Sequence, residues 1–270
     1  MPLFGPPDVG KLRAAGDFEG LAKALRNSKA ETRCEAALAL GELGGAESVA
    51  PLLRALGDKD GDVRWCAVEA LEAIGDARAI GPLSALLDDG DVRVRRVAAE
   101  ALRTLAWAPG SHPRAATYWV LIEDPAQAAT LGKDAVEVLV ALAHGQDITA
   151  HRPALLALEQ IGDPWAAAPL AEALQDTEWQ VRAAAARALV RLAGVEQAAA
   201  IVRALGDRNA VVRREAARAA AGLSGKPLDA ALRARAVEAL RRLLADAPDV
   251  RRAAEAALQA FGVASATGSR

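Results

Sequence analysis

The sequence predicts an all-α protein, a right-handed α-solenoid of about seven stacked helix pairs. Three observations carry that expectation. The composition favours helix over strand, one pattern recurs with a fixed period, and each copy holds the start and stop signals of two short helices.

Hydrophobic residues fill 52% of the 270 positions, but aromatics only 3%. Ala and Leu therefore supply the apolar content. Ala is the best helix former and Leu is close behind. No segment is rich in the β-branched and aromatic residues that strands favour. No apolar run approaches the roughly 18 residues of a membrane span. The opening residues lack the basic and apolar regions of a signal peptide. These features predict a cytoplasmic protein with no membrane segment. Cys34 and Cys66 fall in neighbouring repeats and make no disulfide framework. They are expected to be free buried thiols in a reducing compartment, a bridge between them being the alternative.

The period is explicit. Val63-Arg64 is followed by Ala70-Leu71, Ile74-Gly75-Asp76, Ala79-Ile80, Pro82-Leu83 and Leu87-Asp88. The same frame starts at Thr32-Arg33, Val94-Arg95, Ala150-His151, Val181-Arg182 and Val212-Arg213. The starts 32, 63 and 94 lie 31 apart, as do 150, 181 and 212. A last frame opens at Val250-Arg251 after a step of 38. Asp17 to Leu25 reads as a lone second helix acting as a cap.

Each unit is two helices. Val63, Ala67, Ala70, Leu71 and Ile74 share one helical face. Gly75 ends that helix, because glycine tolerates the left-handed conformation. Asp76 then caps the second helix, whose inward stripe is Ala79, Ile80, Leu83 and Leu87. One pair cannot cover its own apolar face, so neighbours must stack.

The pattern Val-Arg-x5-Ala-Leu-x2-Ile-Gly-Asp-x2-Ala-Ile-x-Pro-Leu resembles the short HEAT-like repeat also found in phycobilisome lyases. Matching units cover most of 30–107 and 149–223. The resemblance implies a concave face that binds other macromolecules. It is specific for fold and weak for function.

Arg33, Arg64, Arg95, Arg182, Arg213 and Arg251 recur with turn carboxylates such as Asp62, Asp91 and Asp207. A residue present in every unit is explained by what every unit needs. The expected role is turn capping and a ladder of charge pairs between neighbours, not catalysis.

The pattern breaks twice. The frames at 94 and 150 are 56 residues apart, which is not two periods. Between them lies an irregular stretch, 106–133, with Trp107, Pro109, Pro113, Tyr118, Trp119 and Pro125. Two readings are open. Its rings fill a gap in the core, or the segment projects and offers Trp107, Tyr118 and Trp119 as partner anchors. The second break, Gly222 to Leu228, precedes terminal helices at about 229–245 and 249–261. The expected organisation is a tail and capping helix (1–29), regular repeats (30–105), a degenerate repeat with insertion (106–148), regular repeats (149–223), capping helices (224–263) and a disordered tail (264–270).

Charge is polarised. Residues 1–180 hold 17 Lys and Arg against 27 Asp and Glu, a net −10. Residues 181–270 hold 16 against 8, a net +8. In four frames the sixth position after the start reads Glu69, Glu100, Arg187 and Arg218, and in three the tenth reads Glu42, Thr104 and Arg191. These positions are expected on the outer side of first helices. A basic patch of Arg187, Arg191, Arg214 and Arg218 follows, suited to an acidic partner or to weak head-to-tail self-association of a monomer at low salt. On the second helices, Ala50, Gly81, Ala168 and Ala199 share one position, flanked by Arg54, Trp165, Glu172 and Arg203. Such a row either admits a partner helix or lets the second helices pack.

Catalytic signatures are missing. Metal-dependent HEAT enzymes of the deoxyhypusine hydroxylase kind use paired His-Glu motifs, but His112, His144 and His151 are followed by Pro, Gly and Arg. There is no H-E-x-x-H, C-x-x-C, G-x-S-x-G or Walker loop. No cofactor, metal or catalytic residue is therefore assigned. The leading expectation is a protein-binding scaffold. Nucleic-acid or anion binding through the basic C-terminal third is an alternative, weakened by scarce lysine and the lack of basic stretches interleaved with aromatics. A chromophore lyase-like role rests on the resemblance alone.

Overall fold

The computed structural model describes residues 8–145, 147–192 and 194–263. Among them are seventeen α-helices and no strand. The expected disordered tail at 264–270 lies outside the described residues. The chain forms two compact units, Met1–Ile122 and Glu123–Arg270.

The first unit holds α1 (Val9–Ala14), α2 (Phe18–Ala24), α3 (Ala30–Leu43), α4 (Ala46–Ala55), α5 (Gly61–Ile74), α6 (Ile80–Ala85), α7 (Val92–Thr104) and α8 (Ala115–Leu121). First helices α3, α5 and α7 pack in succession, with α4 and α6 as second helices. The second unit holds α9 (Pro125–Thr130), α10 (Val136–Ala143), α11 (Ile148–Ile161), α12 (Ala167–Ala173), α13 (Trp179–Leu192), α14 (Val195–Ala204), α15 (Ala210–Ala221), α16 (Ala230–Arg242) and α17 (Pro248–Ala260). There α9, α11, α13, α15 and α17 pack in succession, as do α12, α14 and α16. Stacked helix pairs of this kind are an all-α solenoid.

Local chemistry sets the boundaries. Asp60 caps α5 by accepting from the Asp62 N–H, and Gly75 closes it with φ 74°. Asp76 accepts from the Arg78 N–H and starts the short turn into α6. Gly162 and Asp163 repeat that ending and restart after α11. Most of the expected stripe is buried: Val63, Ala67, Ala70, Leu71, Ala79, Leu83 and Leu87 are at most 2% exposed, and Ile74 and Ile80 are half-buried. Each such leucine is worth about 1.5–3 kcal/mol in removed apolar surface. Small residues let the first helices close up. A Cβ on Gly41 of α3 would lie 2.7 Å from the Ala70 Cα of α5.

Of the recurring arginines, Arg33, Arg64, Arg182 and Arg213 form a ladder, while Arg251 of the last frame is exposed. Arg33 donates from Nε and Nη2 to the two Asp58 oxygens at 2.7 and 2.8 Å, and from Nη1 to the Asn27 carbonyl at 2.9 Å. Arg64 does the same with Asp89 and the Asp58 carbonyl. Arg182 holds Asp207 and the Asp176 carbonyl, and Arg213 holds Asp246 and the Asp207 carbonyl. Each guanidinium thus clamps the turn before its own helix to the turn before the next first helix. Arg95 donates from Nη1 to the Asp89 carbonyl at 2.7 Å, at the same offset of six residues as the other rungs. At the fourth frame His151 substitutes. Its Nε2 lies 2.7 Å from the Gly145 carbonyl and its Nδ1 3.4 Å from Asp176 Oδ2. The sequence offsets of 6 and 25 residues match the arginine rungs.

Two expectations are corrected and one open reading is narrowed. The opening is a helix pair, α1 with α2, and not a lone second helix; Asp8 caps α1 and Gly16 turns the chain at φ 65°. The break at 106–133, left open between a degraded repeat and a loop, holds an irregular stretch at 105–114 and then α8 and α9, with Pro113 ahead of α8 and Pro125 at the first position of α9, where a proline needs no N–H. The 56-residue step holds one pair closed by α8 and a second, shortened pair, α9 with α10. Cys34 and Cys66 are bonded to each other, their Cα atoms 5.5 Å apart. Side-by-side packing of α3 and α5 brings positions one repeat apart within reach. The bridge withdraws the argument from free thiols for a reducing compartment.

Candidate partner-binding surfaces

Three sets of residues were expected to meet a partner, and the structure separates them. The aromatic set joins the core. Tyr118 is 2% exposed, and Trp107 and Trp119 are half-buried against the hydrophobic core of the first unit. Trp107 stands edge-on to Tyr118 with centroids 5.0 Å apart and edge-on to His112 at 5.2 Å; Tyr118 tilts against Trp119 at 4.8 Å. Rings so arranged fill the space beside α7 and α8. Tyr118 is thereby withdrawn as a partner anchor, because a buried ring reaches no partner.

The second-helix row is open. Ala50 and Gly81 in the first unit and Ala168 in the second are exposed, and Ala199 is half-buried. Complete burial between helices is therefore excluded for the first three. Arg54, Trp165, Glu172 and Arg203 are exposed, Trp165 to 61%. Asp163 holds the backbone N–H of Trp165 in the turn that opens α12, which presents the indole at the helix start. Glu172 on α12 and Arg203 on α14 occupy equivalent positions of adjacent second helices.

The basic set lies on first helices. Arg187 and Arg191 on α13 and Arg218 on α15 are exposed, and Arg214 is half-buried. Arg187 donates to Glu159 of α11 at 2.7 Å. Arg214 and Arg218 both engage Glu215, which is buried. An open pocket of about 590 Å³ lies between α15 and α17, lined by Arg214, Arg218, Arg252, Asp249 and alanines. Sequence reasoning missed Glu215, Asp249 and Arg252. A signal for Glu215 was present: its frame position is Cys66, Val97, Pro153, Ala184 and Ala253 in five other frames, with an exposed Glu35 in the first, so a carboxylate stands at a mostly interior site.

The histidines are tied into the scaffold. His112 Nδ1 accepts from the Arg114 N–H, His144 Nε2 lies 3.1 Å from the Pro169 carbonyl, and His151 fills its rung. Among the described residues no group of three or more His, Cys, Asp or Glu is placed to hold a metal ion. No described helix is long and apolar enough to cross a membrane.

Stacked helix pairs with an internal Arg–Asp ladder and two open faces define a helical-repeat protein. The sequence model of HEAT repeats matches residues 18–103, 114–190, 136–222 and 167–259, and the chain belongs to the HEAT-repeat family. No curated protein sequence matches it. Among solved structures it is similar to human deoxyhypusine hydroxylase in complex with glycerol, at 24% identity over 94% of this chain and 88% of that one, with a TM-score of 0.39. An engineered protein matches at 27% identity over 91% and 96%, with a TM-score of 0.44. The complex of CpcE and CpcF of phycocyanin lyase from a Nostoc species matches at 21% identity over 97% and 98%, with a TM-score of 0.36.

Proposed function

We propose that this chain is a non-catalytic scaffold that binds an acidic protein partner through the first-helix face of its C-terminal third. One observation carries the reading. Arg187, Arg191, Arg214 and Arg218 stand on consecutive, mutually packed first helices, α13 and α15, in the part of the chain whose net charge is +8. Charge gathered on one face steers an oppositely charged partner and sets orientation. The open row on α12 and α14, with Trp165 at its head, supplies a second contact, since exposed Trp and Arg are favoured interface anchors. The non-catalytic part of the reading is supported by the histidines, each of which serves the backbone or a ladder rung.

The test compares the native chain with an Arg187→Glu, Arg191→Glu, Arg218→Glu variant in affinity capture from a lysate of the source cells. Acidic proteins retained by the first and lost by the second are the expected result. Tight binding to a duplex oligonucleotide with a steep salt dependence would instead favour nucleic acid as the partner.

A further inference from the structure

The interior of α15 carries a charge that the repeat does not require. Position 215 corresponds to Cys66, Val97, Pro153, Ala184 and Ala253, all buried or half-buried, and to Glu35 of the first frame, which is exposed; only at 215 is a glutamate buried there, to 4% exposure. A carboxylate goes inside only when it is paired and hydrogen-bonded. Glu215 is paired twice: Arg214 Nε donates to Oε1 at 2.9 Å and Arg218 Nη1 to Oε2 at 3.1 Å. One buried group thus fixes two guanidiniums a helical turn apart. Each guanidinium has five N–H donors, so two pairings leave donors to spare.

Those two guanidiniums line the pocket of about 590 Å³ between α15 and α17. Arg252 and Asp249 stand on the α17 side, and Ala221, Ala253 and Ala256 leave the space between the helices unfilled. Asp249 is a carboxylate that already faces these guanidiniums. It bonds to Arg252, and Arg214 Nη1 lies 4.0 Å from its carboxylate. The Arg252 guanidinium first, then the fields of Arg214 and Arg218, hold its carboxyl below the usual range. Three guanidiniums against the carboxylates of Glu215 and Asp249 leave one positive charge over. A single carboxylate balances that; a phosphate dianion does not.

We propose that the α15–α17 pocket is a binding site for a carboxylate side chain of an acidic protein segment, with Arg214, Arg218 and Arg252 as donors and Glu215 as the residue that positions the first two. The inference rests on the acidic-partner reading and narrows it from a face to one pocket.

The test titrates the full chain with a fluorescein-labelled hexaglutamate peptide, read by anisotropy at low salt. Arg218→Ala and Arg252→Ala, both at exposed side chains, should each weaken binding about tenfold, the size of one lost charge-assisted pairing. Arg187→Ala and Arg191→Ala should leave it nearly unchanged. The reverse ranking overturns the pocket while the basic-face reading stands. A wild-type chain that captures acidic proteins but ignores the peptide also overturns the pocket alone. A phosphoserine peptide of the same length that binds more than tenfold tighter overturns the carboxylate assignment.

Discussion

Arg182 grips Asp207 across a whole repeat, its Nε and Nη2 lying 2.7 and 3.0 Å from the two carboxylate oxygens while both side chains are nearly buried. The same guanidinium donates from Nη1 to the carbonyls of Asp176 and Thr177. One side chain therefore satisfies two turns at once. Removing it strands a buried carboxylate and two carbonyls.

Arg182→Ala should cost about 3–5 kcal/mol, the range for breaking a buried pair by deleting one partner. Arg182→Lys should recover little, because an ammonium cannot present the planar fork that meets both oxygens and the carbonyls. Urea unfolding followed by circular dichroism measures both. A loss under 1 kcal/mol for the alanine variant would show that the rung is decorative.

Acid should dissolve the ladder. Burial pushes the Asp58 and Asp207 carboxyls up, but the Arg33 and Arg182 guanidiniums and the N–H groups of Asp60 and Asn209 outweigh it and hold both below the usual carboxylate value. Asp246 is held low by Arg213 first. Each folded value lies below the unfolded one of about 3.9. The stabilisation is therefore complete above that value and is lost as pH falls through the folded value. Stability measured by urea from pH 6 to pH 2 should drop through the acid range, and Asp207→Asn should lower the plateau and flatten the drop.

The His151 rung is the weak one. Its imidazole offers two nitrogens where an arginine offers five donors, and its Nδ1 stands 3.4 Å from Asp176 and without a hydrogen-bond partner. His151→Arg should rebuild the bidentate clamp between Asp176 and the Gly145 carbonyl, at the offsets the other rungs use. The melting temperature should rise by a few degrees, as about 1 kcal/mol would give in a chain of this size. An unchanged or lower value would mean that the longer side chain does not fit between α11 and α13.

Much of this was legible because every repeat solves the same problem. Arg33, Arg64, Arg182 and Arg213 announce the ladder by recurring, and Gly75 with Asp76 marks a helix end and a helix start in two adjacent residues: positive φ, then a side-chain cap. What was hidden lacked that redundancy. Pro113 and Pro125 belong to the stretch that breaks the period, yet they stand where helices begin. The Cys34–Cys66 bridge depends on the offset between two adjacent helices, which spacing alone leaves open. The pocket needed Asp249 and Arg252, which fall after the lengthened step to the last frame and so outside the 31-residue register.

The aromatic cluster gives the last prediction. Tyr118 is the chain's one tyrosine, it is 2% exposed, and it touches both Trp107 and Trp119. Tyr118→Ala should cost about 3–5 kcal/mol, as for deletion of a large buried ring. Trp119→Ala should cost less, because that ring is half-buried. Burial, only partly offset by the Arg103 guanidinium and helped by Glu100, pushes the phenol above its usual range. A raised folded value means that its share of stability is complete below the unfolded value of about 10 and is lost as pH rises through the folded one. Because no second tyrosine interferes, ultraviolet difference absorbance reads this group alone. Phenolate should form at higher pH in the folded chain than in urea. If it forms at the same pH in both, and Tyr118→Ala melts like the wild type, the ring is not core, and the segment returns as an exposed anchor for a partner.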